Sequence, residues 1–264
     1  MAQSVDAGTS GAKAISPNRR MLVNACAYEL RLAERLGLAT DPACVDFETF
    51  LETMDRAGIA KSVIVLDDIT EEFRAVHRRT GRLYALVHYD SGEPTRGLES
   101  LRAVCEGNPD IVRGVATAFP CFGQDPRLNV FGPVYAYCLE RRLPVLIRLT
   151  GGREAIPTRP IACGVLAGLY PELRIVCLDE AGHGAELAPA LPKLTHLFLA
   201  THGNGTRMDL ERLGRVMGSR QLMFATGAGR IDETEIASVG RLPFWYRNNV
   251  AWRTATRVFG LPLP

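Results

Sequence analysis

Apolar residues in this chain fall into two alternating patterns. Residues 46–57, DFETFLETMDRA, place Phe47, Phe50, Leu51 and Met54 at spacings of three and four, which predicts a helix. Gly58 follows as its stop. SVIVLDD, residues 62–68, is a short apolar run ending in two acids and predicts a buried strand. The scheme then repeats. Residues 69–80 predict a helix broken by Gly81, and RLYALVHYD (82–90) predicts a strand. A helix near 98–106 precedes IVRGVATAF (111–119), and a helix near 130–141 precedes PVLIR (144–148). A helix at 161–169 leads to LRIVCLD (173–179), and a weak one at 187–191 to LTHLFLATHG (194–203). A helix at 210–216 leads to QLMFATG (221–227), and a helix near 249–259 ends the pattern. Before all of these, MLVNACAYEL (21–30) reads as a first strand ending near Asn24 or Cys26.

Strand and helix thus alternate about eight times, and the strands are apolar runs instead of clean alternations. Strands buried on both faces of a parallel sheet read this way. The fold class is therefore α/β, and the expected architecture is a (β/α)8 barrel. A doubly wound open sheet is the alternative, but no Gly-x-Gly-x-x-Gly follows a strand. A Walker loop and the Gly-x-Ser-x-Gly elbow of α/β-hydrolases are also missing.

Length and composition agree with one barrel domain. The chain has 264 residues, 47% of them hydrophobic. Residues 21–264 are expected to form that domain, behind a loose, Ala-, Ser- and Gly-rich tail at 1–20. A formal charge of +2 with scattered arginines gives no footprint for nucleic acid or an anionic membrane. No apolar run is long enough to span a bilayer, and the tail lacks the apolar centre of a signal peptide, so the expected location is the cytoplasm. Seven dispersed cysteines, with no CxxC pair, argue against a disulfide framework and a zinc knuckle. Cys138, Cys163 and Cys177 lie in apolar company and are expected to be core thiols.

Several segments, in this order, resemble the amidohydrolase-related family. They are DFETFLETMDRAGIAKSVIV, RGVATAFPCFG, DPRLNVFGPVYAYCLERRLPVLIRLTGG, YPELRIVCLDEAGHG, RQLMFATGAGR and NNVAWRTATRVFGL, spanning residues 21–261. The resemblance implies a barrel that carries metal-dependent hydrolases and decarboxylases. It implies ligands at strand ends: His-x-His after the first, His after the fifth and sixth, Asp after the eighth. Here those places hold Asn24-Ala25-Cys26, Arg148, Asp179 and Gly227. Arginine is a permanent cation with no lone pair to donate, so Arg148 would repel a metal. The expectation is a divergent member that needs no metal or other cofactor.

Barrel active sites lie at the C-terminal ends of strands. The residues there are Asn24, Cys26, Asp67, His88, Asp90, Arg148, Asp179, Glu180 and His202. Arg148 can grip a carboxylate or phosphate through its fork of donors, or pair with Asp179 or Glu180 and plug the mouth. His88 or His202 can move a proton, or sit hydrogen-bonded at the rim. Cys26 is a nucleophile if its thiolate is stabilised, and otherwise a buried thiol. Asn24 can orient a carbonyl or satisfy backbone groups. Asp179 can orient a histidine or Arg148, and Asp67 and Glu180 complete the substrate-binding set. Cys26, His88, Asp179 and His202, with His183 nearby, could also form an atypical metal site. His77 and His196 read as structural.

Two functions follow. One is a metal-independent enzyme acting on a small anionic or carbonyl-bearing ligand. The other is a non-catalytic pseudo-hydrolase that binds a small molecule or stabilises a partner protein. Neither calls for nucleic acid or a membrane, and both leave a homo-oligomer or a partner enzyme open.

Overall fold

The structure is a computed structural model. It describes residues 22–28, 46–117, 129–149, 160–179, 187, 193–201, 213, 215, 218–226, 231 and 233–263, with the backbone alone for 24–28, 129, 160, 179 and 233–235. Eight strands follow one another around a single parallel sheet in chain order: β1 (Leu22–Tyr28), β2 (Ile59–Leu66), β3 (Leu83–His88), β4 (Val112–Thr117), β5 (Val145–Leu149), β6 (Ile175–Asp179), β7 (Leu197–Thr201) and β8 (Leu222–Phe224). The last strand lies beside the first. Helices α1 (Phe47–Ala57), α2 (Glu71–Thr80), α3 (Pro94–Gly107), α4 (Gly132–Arg141) and α5 (Pro160–Leu169) lie between consecutive strands from β1 to β6. The arrangement is a (β/α)8 barrel.

Side-chain parity along each strand divides the core in two. Val63, Val65, Leu86, Ala116, Leu146, Val176, Leu178, Ala200 and Met223 fill the lumen. The intervening Ile64, Leu66, Ala85, Val87, Val145, Ile147, Ile175, Cys177 and Leu199 pack outward with the helices. Both sets are apolar because both faces are covered, which is why the sequence shows unbroken apolar runs. Cys138, Cys163 and Cys177 are buried as expected, and Cys105 joins them.

Helix ends follow local chemistry. Asp46 Oδ1 accepts a hydrogen bond from the Thr49 backbone N–H at 2.7 Å and caps α1. Gly58, at φ 70, turns its N–H back to the carbonyls of Asp55 and Met54, a conformation that glycine adopts without steric cost. Phe50, Leu51 and Met54 are the face that α1 buries.

The chain end closes the bottom of the barrel. Helices α6 (Glu233–Arg241), α7 (Phe244–Asn248) and α8 (Thr254–Phe259) follow β8, with a π-helical turn at Asn249–Arg253 joining the last two. Ala255, Val258, Phe259 and Leu261 belong to the luminal cluster. Arg174, just before β6, donates to the Val258 carbonyl at 2.6 Å, and Arg257 donates to the carbonyl of Arg220, just before β8, at 2.6 Å. Those contacts are to residues preceding strands, so α8 seals the N-terminal mouth. Active sites on this fold lie at the opposite, C-terminal mouth.

Helix α3 begins at Pro94, four residues before the expected start, and three further features differ from the sequence expectation. The final helical region begins at Phe244 and includes the π turn. Helix α6 was not expected at all, although Ile236, Val239 and Leu242 pack into the core at near-helical spacing. Strand β1 runs to Tyr28, past Cys26, and its pairing with β2 slips between Asn24 and Ala27, where three residues of β1 span two of β2.

Candidate functional site

At the C-terminal mouth, β2 and β3 deliver an acid and a histidine to the same place. Leu66 pairs with Val87, so the next residues, Asp67 and His88, stand level. His88 has the luminal parity of Tyr84 and Leu86. Its Nδ1 lies 3.0 Å from Asp67 Oδ1, and its side chain is only 5% exposed against 42% for Asp67. A carboxylate accepts hydrogen bonds, so Nδ1 is the protonated ring nitrogen. In the neutral ring the lone pair is then on Nε2. That atom is buried and has no hydrogen-bond partner among the described residues.

The next segment builds a cavity around this pair. It measures about 330 Å³ and is lined by Asp67, His88, Asp90, Glu93, Arg96, Gly97 and Ser100. Asp90 Oδ1 accepts from the Gly92 N–H at 2.8 Å and turns the chain toward α3. Pro94 starts that helix, and Glu93 at its N-cap contacts Arg96 in the first turn at 3.3 Å. Gly97 lets the helix lie flush on the loop, since a Cβ there would stand 2.3 Å from the Asp90 carbonyl oxygen. Beneath the loop, the buried Tyr89 donates its hydroxyl to the Val130 carbonyl at 2.8 Å. Burial pushes the Tyr89 phenol up, and the Asp90 charge adds to the shift.

Arg148 approaches from two strands away. It is the penultimate residue of β5, pairs in register with the luminal Leu178, and shares parity with the luminal Leu146. The pleat therefore turns it inward, and it is half-buried at the mouth. It does not line the cavity beside His88.

The other expected site residues are only partly visible. Asn24 and Cys26 are in β1, and Asp179 ends β6 in register with Leu149 and Thr201, but their side chains lie outside the described residues. Glu180, His183, His202 and Gly227 lie outside them altogether. His77 Nδ1 is 2.7 Å from the Leu83 carbonyl and His196 Nε2 is 2.9 Å from that of Ala167, so both hold backbone, as the sequence suggests. Glu93, Arg96, Gly97 and Ser100 were missed. Pro94 after an acidic residue was the available signal, because it marks the first turn of a helix that sequence reading started four residues later.

The family model described as amidohydrolase matches residues 18–261. The chain belongs to the amidohydrolase family. No curated protein matches it. Solved structures show the same barrel at low identity. An uncharacterised TIM-barrel protein from Bordetella bronchiseptica is 16% identical, with a TM-score of 0.64, over 91% of this chain and 99% of that one. A 2,6-dihydroxybenzoate decarboxylase from Rhizobium is 13% identical, with a TM-score of 0.65, over 92% and 98%. A dihydroxybenzoic acid decarboxylase from Polaromonas sp. JS666, with bound manganese and 2-nitroresorcinol, is 13% identical, with a TM-score of 0.64, over 93% and 98%.

The metal that such a family implies does not fit the described residues of this amidohydrolase relative. Arg148 turns a permanent cation into the mouth at the place where the resemblance implies a ligand histidine. Among the described residues, no group of three or more His, Cys, Asp or Glu side chains could hold an ion.

Proposed function

We propose that this chain catalyses a metal-independent proton-transfer reaction on a small molecule bearing a carboxylate or carbonyl, at the C-terminal mouth of the barrel. The observation that carries the reading is the Asp67–His88 pair, with a buried imidazole nitrogen left for a ligand. Asp67 fixes the tautomer and stabilises the imidazolium that forms when Nε2 takes a proton. Arg148 binds the carboxylate or the negative charge that develops on a carbonyl oxygen. The decarboxylases of similar fold act on hydroxybenzoates, which makes small aromatic carboxylates the first substrates to try. Cys26, Asn24, Asp179, Glu180 and His202 are proposed as further members of the site.

The test follows consumption of hydroxylated benzoates by the parent, His88→Gln and Arg148→Met, with thermal melting as a folding control. General acid–base catalysis contributes on the order of 100- to 10,000-fold, and H88Q should lose that much turnover while still folding. A second reading, a non-catalytic binder, is favoured by Arg148 at a ligand position. Saturable binding with no turnover, unchanged in H88Q, would establish it instead.

A further inference from the structure

We infer that the cavity beside His88 receives an ammonium group, so that the ligand is a small molecule with an amine at one end and a carboxylate at the other. The carboxylate half rests on the proposed role of Arg148; the amine half stands on the cavity alone.

Three observations lead to it. His88 Nε2 is a buried acceptor without a partner among the described residues, and leaving such an atom unsatisfied is costly. In the neutral ring, whose Nδ1 proton goes to Asp67, its partner is a donor. Among the described residues the walls carry three carboxylates, Asp67, Asp90 and Glu93, against one guanidinium, Arg96, which contacts Glu93 at 3.3 Å. An anion would be repelled there and a cation attracted. A primary ammonium meets both conditions, since it brings three donors and a positive charge to one acceptor nitrogen and its acidic surroundings.

The other end of the molecule follows from the strand order. Asp67 and His88 close β2 and β3, whereas Arg148 is near the end of β5 with β4 between. Neighbouring strands stand roughly 4.8 Å apart, so the two backbones are about 10 Å apart across the mouth. Both side chains have luminal parity and shorten that gap. A chain of a few carbons between the charges would fill it.

Calorimetry on the full chain can measure this with ω-amino carboxylates of graded length, from 3-aminopropanoate to 6-aminohexanoate. The controls are butanoate, butylamine and 4-hydroxybutanoate. One length is expected to bind at least tenfold more tightly than its carboxylate-only and hydroxy analogues. That preference should fall at least fivefold in Asp90→Asn and in His88→Gln, with melting measured on each. Butylamine binding that survives Arg148→Met, with no butanoate binding to the parent, keeps the ammonium cavity and removes the role of Arg148. Butanoate binding that depends on Arg148, with no gain from an amine at any length, overturns the ammonium cavity alone. If none of these probes binds, or if D90N and H88Q keep the full amine preference, the inference is wrong.

Discussion

Asp67 Oδ1 and His88 Nδ1 meet at 3.0 Å across the ends of two neighbouring parallel strands, one side chain half-exposed and the other nearly sealed. The asymmetry gives the acid access to solvent and the imidazole a fixed orientation. In Asp67→Asn the amide can donate to Nδ1 or accept from it, so the tautomer is no longer imposed. A hydrogen bond of this kind contributes about 1 kcal/mol to stability. D67N should therefore melt close to the parent in a denaturant titration, yet lose at least tenfold in turnover. Equal turnover would remove Asp67 from the proposed mechanism.

Gly97 sets the floor of the cavity. Its replacement by alanine would put a Cβ 2.3 Å from the Asp90 carbonyl oxygen, a backbone atom that cannot swing away. Overpacking of this kind costs roughly 1–3 kcal/mol. Urea unfolding of Gly97→Ala should show that loss. Gly107→Ala, near the end of the same helix with nothing near its Cβ, should not.

Arg148 separates two roles by paired substitution. As an anion-binding residue, Arg148→Lys should fold normally, within about 0.5 kcal/mol of the parent, and lose carboxylate affinity with the planar fork. As a plug against a buried carboxylate, Arg148→Met should lose roughly 3–5 kcal/mol. The expected outcome is the first, read from melting and calorimetry on both variants. Variants that match the parent in both measurements would leave Arg148 with neither role.

Asp46 makes the stability of α1 depend on acid. Its hydrogen bond from the Thr49 N–H holds the carboxyl below its ordinary value of 3.8. A lowered folded-state pKa contributes stability that is present above the unfolded value and lost as pH falls through the folded one. Asp46→Ala should thus melt below the parent at neutral pH, with the difference shrinking below about pH 4. A gap that stays constant down to pH 2 would show that the cap does not act through its charge.

The four described cysteines should resist alkylation. Burial pushes the Cys105 thiol up to about 11, with Tyr137 hydrogen-bonded to it and partly opposing the shift. Burial pushes the Cys138 thiol higher still. Thiolate is the reactive form, so iodoacetamide at pH 8 should leave Cys105, Cys138, Cys163 and Cys177 unmodified until the protein unfolds. Peptide mapping that finds label on Cys105 in the native chain would contradict the burial.

Barrel and strand order were legible because burial writes itself into the chain. A strand covered on both faces is apolar at most positions, so the strands read as apolar runs, and Asp67, His88 and Arg148 stood where those runs stopped. Helix α6 was hidden for the opposite reason: its short apolar face, Ile236 and Val239, leaves little periodicity to read. The bulge in β1 was also illegible, since a slip in register depends on the partner strand and not on local propensity.

The site shows the same division. Sequence could place Asp67 and His88 at strand ends. It could not pair them, because they are twenty-one residues apart and meet only when β2 and β3 align in register. Nor could it find the cavity wall from Glu93 to Ser100, where exposed polar residues look like any solvated helix face. The sequence determined which residues would be buried, because transfer from water acts on each side chain by itself. Tertiary structure decided which polar groups meet, because a hydrogen bond or a cavity requires distant segments to be held at fixed positions.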